Sequence, residues 1–162
     1  MFDVTPVTSP KQLDCGPTCL QMLLSYYGKE VSLDQLIREC NTRIIGCSGK
    51  DLLQTGRAHG LVDMRAYQMD AEELIRQDRP AIIHWKHMHW CVFCGVNEEG
   101  YVVIVNPDRG RYGLDRGTFT SFYSGIALFN GDPEDIVEPV SDEATAADYT
   151  EALEMLGVEV PE

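Results

Sequence analysis

The sequence places a cysteine at the start of a run of residues typical of a helix. Residues 14–17 read Asp-Cys-Gly-Pro and lead into an apolar stretch, which predicts a helix over residues 17–27 ended by Gly28. A nucleophilic cysteine reacts as its thiolate, and the unpaired N–H groups and dipole of a helix N-terminus favour negative charge. The pattern therefore predicts a reactive thiol at Cys15, with a buried core thiol as the alternative.

Histidine and asparagine residues follow farther along the chain. His84, His87 and His89 lie close together, and an Asn-Pro-Asp segment comes soon after them at residues 106–108. Cysteine, then histidine, then asparagine or aspartate, spread in that order along one domain, is the arrangement of papain-like thiol enzymes. In such a site the histidine takes the thiol proton and the third side chain orients the imidazole.

Among the three histidines, His89 is the preferred base because it begins a predicted strand. His87 is expected in a solvated turn, and His84 in mid-strand as a buried histidine with its hydrogen bonds satisfied. For the third residue the end of the next strand favours Asn106, with Asp108 as the alternative.

Composition points to one globular domain. The chain has 162 residues, of which 44% are hydrophobic, so it can bury a sizeable core. It has no apolar run of about 18 residues, which predicts no insertion into a membrane. The first ten residues lack the features of a secretory signal, so the expected location is the cytoplasm. In that reducing compartment the six cysteines are expected to form no disulfide bonds.

Charge divides the chain into two parts. Residues 1–130 carry fifteen acidic and thirteen basic residues, whereas residues 131–162 carry eleven acidic residues and no lysine or arginine. We expect a catalytic domain over 1–130, then an acidic linker and a short helix over residues 142–156. The lack of a basic patch predicts no nucleic-acid partner. The acidic tail is expected to be disordered or, alternatively, to dock on the domain or on a partner protein.

Helical patterns precede strand patterns along the chain. This order predicts an α+β fold in which N-terminal helices pack on a C-terminal antiparallel β-sheet. Helices are predicted over residues 17–27, 33–40, 50–59 and 71–77, with a helical turn at 118–123, and strands over residues 61–68, 81–85, 89–96, 101–105, 112–114 and 125–129.

Five segments of the chain resemble the bacteriocin-processing, double-glycine-leader cysteine peptidases, a family with the papain-like fold. They lie in the family's order within residues 11–129. The segments are LDCGPTCLQMLLSYYGKEVSLDQL, GCSGKDLLQTGRAHGL, RPAIIHWKHMHWCVFCGV, VIVNPDRGRYGL and FTSFYSGIALF. The resemblance implies a free-standing peptidase or peptide binder, without the transporter that accompanies this domain in well-known members.

The resemblance also implies roles for individual residues. Cys15 falls on the nucleophile, His89 on the general base and Asn106 on the orienting residue, where most of the family has aspartate. The family's oxyanion-hole glutamine lies six residues before the nucleophile, at the position of Ser9, and the nearest glutamine here is Gln12. Losing one such donor slows catalysis by about 10²–10³. A weak enzyme, or a module that only binds peptides, is therefore the alternative to an active peptidase.

The implied reaction is hydrolysis of a peptide bond through a thioester, after small residues such as Gly-Gly or Gly-Ala. Another acyl transfer on the same triad is a further alternative. Asp14, Gly16 and Trp90 are expected to bind substrate. Positioning of the loop is an open alternative for Asp14, and core packing is at least an equal alternative for Trp90. No cofactor or metal is expected.

The remaining cysteines offer no pattern suited to a metal or redox site. Cys91 and Cys94 form a C-x-x-C pattern inside an apolar strand, where alternation directs the two thiols to opposite faces. Cys40 and Cys47 flank a loop without further ligands at metal-site spacing.

Overall fold

The computed structural model of the protein describes residues 1–42, 46–86 and 88–146, and at Gln12 the backbone alone. Helices dominate the first half of the chain. A 3-10 turn at Gln12–Asp14 leads into the helices, which are α1 Cys15–Tyr26, α2 Leu33–Glu39, α3 Gly49–Ala58, α4 Ala71–Arg76 and, in the second half, α5 Arg116–Phe122. In the described part of the chain, no helix is long and apolar enough to cross a bilayer.

Side-chain caps fix where three of these helices begin. The Ser32 hydroxyl accepts a hydrogen bond from the Gln35 N–H at the start of α2. Ser48 and Asp70 form capping boxes at the starts of α3 and α4. Each cap satisfies N–H groups that the first turn of a helix leaves without a partner. These starts agree with the predicted helices to within one residue.

Within the described residues, seven strands form one antiparallel sheet, in the order β5-β4-β3-β2-β6-β1-β7. The strands are β1 Met64–Gln68, β2 Ala81–Trp85, β3 His89–Val96, β4 Val102–Asn106, β5 Gly110–Leu114, β6 Tyr123–Asn130 and β7 Pro139–Val140. The predicted α+β class is confirmed, and the predicted bounds of β2 and β3 match those observed.

The sheet is buried on both faces, so there are two cores. Trp90, Val92 and Cys94 of β3 pack on the face covered by α1, α2 and α3, whereas Cys91 and Phe93 pack on the opposite face. This alternation was predicted for the two thiols of the C-x-x-C pattern. Burial on both faces explains why β3 reads as a continuous apolar run.

Several element boundaries differ from the predictions, among them the starts of α1 and β1. Helix α1 begins at Cys15 rather than at residue 17, because Cys15 has helical backbone angles and directly follows the 3-10 turn. Strand β1 begins at Met64 rather than at residue 61, because Met64 N–H donates to the Leu61 carbonyl and closes a turn there. The first difference matters for chemistry, since it puts Cys15 inside the first helical turn.

Residues 131–146 pack against the rest of the molecule. Strand β7 pairs with β1, and Arg57 of α3 donates two hydrogen bonds to Asp142, at 2.7 and 3.0 Å. Ser141 caps a helical segment at residues 142–146. The rest of the predicted helix 142–156, with Tyr149, Leu153 and Leu156 on its apolar face, lies outside the described residues. The domain boundary at residue 130 stays a prediction.

Candidate active site

Cys15 is the first residue of α1 and lies where that helix packs against β3. Its side chain is buried, and the backbone N–H of Trp90 on β3 is directed at the thiol. Since Trp90 follows His89, the start of α1 and the start of β3 meet at this point. The two residues that the sequence assigned to nucleophile and base therefore belong to one site.

Burial raises the pKa of the Cys15 thiol above its ordinary value. The backbone N–H groups of Trp90, Gly16 and Cys15 lower the pKa, and the Asp108 carboxylate adds to the rise. The contribution expected from the helix N-terminus is present, but desolvation outweighs it. The thiolate of Cys15 is therefore less favoured than that of an exposed cysteine.

His89 is held by Asn106, the last residue of β4. The His89 Nε2 lies 3.0 Å from Asn106 Oδ1, and both side chains are buried. Asn106 Nδ2 donates to the Tyr112 hydroxyl at 3.2 Å, and Asn106 Oδ1 accepts the Asp108 N–H at 2.9 Å. These contacts fix the amide with its oxygen towards the imidazole, and the amide orients the ring through Nε2.

Asp108, the alternative third residue, also lies beside the imidazole. Its Oδ2 is 3.7 Å from His89 Nε2, and 37% of its side chain is exposed. That distance is too long for a hydrogen bond, whereas Asn106 is within hydrogen-bond range. The geometry therefore favours Asn106 over Asp108 as the partner that orients the ring.

Gly16 and Trp90 lie in tight packing rather than on an open surface. Trp90 is buried, and its Nε1 donates to the Cys47 carbonyl at 3.2 Å. A Cβ placed on Gly16 would lie 2.4 Å from Cys47 Sγ, so only glycine fits without a shift of that thiol. Asp14 is buried as well, and its carbonyl accepts the Thr18 hydroxyl. Contact of these residues with substrate stays a prediction.

Ser9 joins the N-terminal segment to the loop that carries Asp108. Its N–H donates to the Pro107 carbonyl at 2.9 Å, and its hydroxyl donates to the Lys11 carbonyl at 2.8 Å and lies 3.2 Å from the Thr18 hydroxyl. Gln12 lies in the 3-10 turn directly before α1. The Gln12 side chain is outside the described part of the structure.

The other histidines and thiols occupy separate positions. His84 Nδ1 lies 3.1 Å from the Ser124 hydroxyl, and the His84 ring packs beside Trp90. His87 lies outside the described residues. All six cysteines are free, and burial raises the pKa of Cys94 to about 11. Over residues 1–42, 46–86 and 88–146, no group of three or more Cys, His, Asp or Glu side chains is arranged to hold a metal ion.

Two residues of the site were missed by the sequence reasoning. Tyr112 supports Asn106, and Cys47 packs against Gly16 and accepts from Trp90. The register of the β4-β5 hairpin pairs Ile104 with Tyr112, which makes Tyr112 a diagonal neighbour of Asn106 on the same face. A hairpin predicted in that register would have identified Tyr112. No signal in the sequence pointed to Cys47.

Known proteins resemble this chain over most of its length. It is 32% identical over 115 residues to the probable microcin-H47 secretion/processing ATP-binding protein MchF of Escherichia coli, which covers 71% of this chain and 16% of MchF. It is 32% identical over 126 residues to the lactococcin transport/processing ATP-binding protein LcnC-like of Lactococcus lactis, covering 73% and 17% of the two chains. This chain thus spans about a sixth of the length of such relatives.

Solved structures share the fold. The double-glycine motif protease from an AMS/PCAT transporter, crystallised in complex with a leader peptide, superposes with a TM-score of 0.73 at 27% identity, covering 86% of this chain and 94% of the protease. The peptidase domain of Streptococcus ComA, a bifunctional ABC transporter, superposes with a TM-score of 0.65 at 22% identity, covering 78% and 96%. The papain-like architecture implied by the sequence resemblance is confirmed.

The family assignment rests on most of the domain rather than on one motif. The match to the model of the peptidase C39 family runs over residues 4–135, from the N-terminal segment that precedes α1 to the residues just after β6. It includes Cys15 at the helix start, His89 at the start of β3 and Asn106 at the end of β4. This chain belongs to the peptidase C39 family, whose members are cysteine peptidases of the double-glycine type.

Proposed function

We propose that this chain cleaves peptides with Cys15 as nucleophile, His89 as general base and Asn106 as the residue that orients the imidazole. The observation that carries the proposal is the hydrogen bond of 3.0 Å between His89 Nε2 and Asn106 Oδ1, beside a cysteine at a helix start. This bond leaves the lone pair of Nδ1 for the thiol proton. Cysteine, base and orienting amide are the three parts that thiol peptidases use.

The reaction proceeds through a thioester. His89 Nδ1 takes the proton from Cys15 Sγ as the sulfur attacks the carbonyl carbon of the scissile bond. The tetrahedral intermediate collapses, the C–N bond breaks, and the imidazolium gives its proton to the leaving amine. Water, deprotonated by His89, then hydrolyses the thioester and releases the acid. Because burial raises the pKa of Cys15, proton transfer to His89 is an essential part of the attack.

The oxyanion that forms during attack needs hydrogen-bond donors. We assign this role to the backbone N–H of Cys15, with the amide of Gln12, in the turn directly before it, as the second donor. Ser9 stands at the position of the family's glutamine, and its hydroxyl already donates to the Lys11 carbonyl. The N-terminal segment of this chain therefore needs another residue to complete the hole.

The proposed substrate is a leader peptide with small residues, such as Gly-Gly, before the cleaved bond. The crystallised relative of 27% identity is a double-glycine motif protease bound to a leader peptide, and other relatives are processing and transport proteins. We place the reaction in a reducing compartment, where Cys15 stays a thiol.

The test is cleavage of a synthetic leader peptide that carries Gly-Gly before the expected cut. Wild-type protein should release two fragments, and Cys15→Ala should lose about a thousandfold or more in rate. Cys94→Ala is the matched control. It removes a different buried thiol, which lies on β3, and should retain cleavage. Cleavage that persists in Cys15→Ala would refute the proposal.

Peptide binding without cleavage is the second candidate, and the Ser9 position favours it. A protein that lacks the second oxyanion donor binds its peptide yet reacts slowly. The discriminating measurement is the Kd of the same Gly-Gly peptide by calorimetry, alongside its rate of cleavage. Tight binding with no fragments from wild-type protein over a day would support the binding module. Fragments that appear within minutes would exclude it.

A further inference from the structure

The His89 side of the site contains two polar side chains where one is expected to suffice. Asn106 occupies the position at which most of the family has aspartate, and the carboxylate nearest to this position along the chain is Asp108. An amide fixes the tautomer of an imidazole but carries no charge. A carboxylate does both, because it also stabilises the imidazolium that forms when the thiol proton is transferred.

Two backbone hydrogen bonds fix the loop that carries Asp108 beside the imidazole. Its N–H donates to Asn106 Oδ1 at 2.9 Å, which ties the loop to the same amide that orients His89. The preceding carbonyl, that of Pro107, accepts the Ser9 N–H at 2.9 Å. With the loop fixed in this way, Asp108 Oδ2 lies 3.7 Å from His89 Nε2.

Asp108 approaches the imidazole at the same nitrogen as Asn106. His89 Nε2 lies 3.0 Å from Asn106 Oδ1 and 3.7 Å from Asp108 Oδ2. At 3.7 Å a carboxylate interacts with an imidazolium even when partly exposed to water, although the exposure of 37% reduces the effect by screening. The same negative charge also disfavours the Cys15 thiolate.

We propose that Asp108 is a positioning residue that acts through His89 and supplies the negative charge that Asn106 lacks. The two roles of the family's usual aspartate are thereby divided. The Asn106 amide orients the ring, and the Asp108 carboxylate stabilises the imidazolium. This proposal rests on the roles proposed above for Cys15 and His89. It adds a residue to the reaction that the motif alone does not assign.

Other ionisable groups surround the pair and stay constant in the test. On the α1 side these are the buried carboxyl of Asp14 and the thiols of Cys15 and Cys19, and on the sheet side the thiol of Cys91 and the hydroxyl of Tyr112. Burial raises the pKa of Cys19 and of Cys91, so both thiols are neutral at pH 7. A change made at Asp108 alone therefore reports the charge at Asp108.

The experiment removes the negative charge of Asp108 or moves it to position 106. Asp108→Asn removes it, and the double variant Asn106→Asp/Asp108→Asn moves it to the family's usual position. Asp63→Asn, at an exposed site just before β1, is the control for loss of one surface charge. The measurements are the rate of Cys15 alkylation by iodoacetamide against pH, and kcat and KM for the Gly-Gly peptide against pH.

In Asp108→Asn we expect the alkylation profile and both limbs of the kcat/KM profile to move to lower pH by about half a unit. Removal of a nearby negative charge makes each deprotonation in the site easier. We expect kcat to fall about tenfold, with KM unchanged. The double variant should recover most of the lost rate, and Asp63→Asn should behave as wild type.

Three results would overturn the proposal. They are unshifted profiles in Asp108→Asn, a change in KM alone, which would make Asp108 a contact to the peptide, and a double variant with no more activity than Asp108→Asn. If the wild type cleaves no peptide, the proposed peptidase function fails instead. The alkylation profiles then still decide the role of Asp108, since they require no substrate.

Discussion

The two sides of the proposed site are built differently. On the α1 side, Cys15 is buried, which raises its pKa, whereas backbone N–H groups favour the thiolate and lower the pKa. On the sheet side, His89 is held by Asn106, which Tyr112 and the Asp108 N–H hold in turn. In the mechanism that we propose, activation of the nucleophile depends on the hydrogen-bonded sheet side. The following predictions test this by breaking each side in turn.

Loss of the orienting amide should have the largest effect. In Asn106→Ala the imidazole loses its partner at 3.0 Å and is free to rotate, so we expect kcat/KM to fall about 100-fold. Asn106→Asp keeps an acceptor at the same place and should retain substantial activity. Equal activity of Asn106→Ala and wild type towards the Gly-Gly peptide would show that the ring is held by other contacts.

On the α1 side, Gly16→Ala should destabilise the protein. Its Cβ would lie 2.4 Å from Cys47 Sγ, and such overpacking costs about 1–3 kcal/mol. Urea unfolding measures the loss, and Cys47→Ala in the same chain should restore part of it by removing the sulfur. Gly117→Ala in α5 is the control, since its Cβ would meet no atom closer than 3.4 Å. A neutral Gly16→Ala would mean that Cys47 moves away readily.

Tyr112→Phe, also on the sheet side, should reduce activity less than Asn106→Ala does. The variant removes the acceptor for Asn106 Nδ2 and leaves the ring in place, which corresponds to about 0.5–1.5 kcal/mol and a loss of about threefold to tenfold in kcat. Tyr101→Phe, at an exposed tyrosine before β4, should leave kcat unchanged. An unchanged kcat in Tyr112→Phe would show that the Asp108 N–H alone fixes the amide.

The C-terminal segment lies outside both sides and should have the smallest effect. Arg57 lowers the pKa of Asp142, so their ion pair stabilises the fold above the ordinary aspartate pKa of about 4 and is lost as pH falls below it. Asp142→Asn should cost about 0.5–1 kcal/mol at pH 7 and nothing near pH 2. Urea unfolding at both pH values, with Glu143→Gln as control, measures this. A loss at pH 7 as large as that of Gly16→Ala would contradict the ranking.

Local signals in the sequence predicted much of this fold. Ser32, Ser48 and Asp70 marked helix starts because each caps an N-terminus with its own side chain. The alternation of side chains along a strand predicted that the two thiols of the C-x-x-C pattern in β3 lie on opposite faces. Such features depend on neighbouring residues, so the sequence contains them directly.

Features that depend on distant contacts could not be predicted in the same way. Strand β7 pairs with β1, and Arg57 forms an ion pair with Asp142. Both contacts join residues that are far apart in the chain. The raised pKa of Cys15 follows from burial under β3, whereas the local pattern suggested only the opposing effect of the helix N-terminus. Composition predicted a linker after residue 130, because nothing in the local sequence identifies the distant residues with which its acidic side chains pair.

The most direct test of the central claim, that His89 activates Cys15, is the alkylation rate of each cysteine at pH 7. Iodoacetamide labelling read by peptide mass spectrometry follows all six free thiols at once, and the other five are internal references. We expect Cys15 to react faster than the other five thiols in wild-type protein, and at least about tenfold more slowly in His89→Ala than in wild type. An identical rate of Cys15 labelling in the two proteins would contradict it.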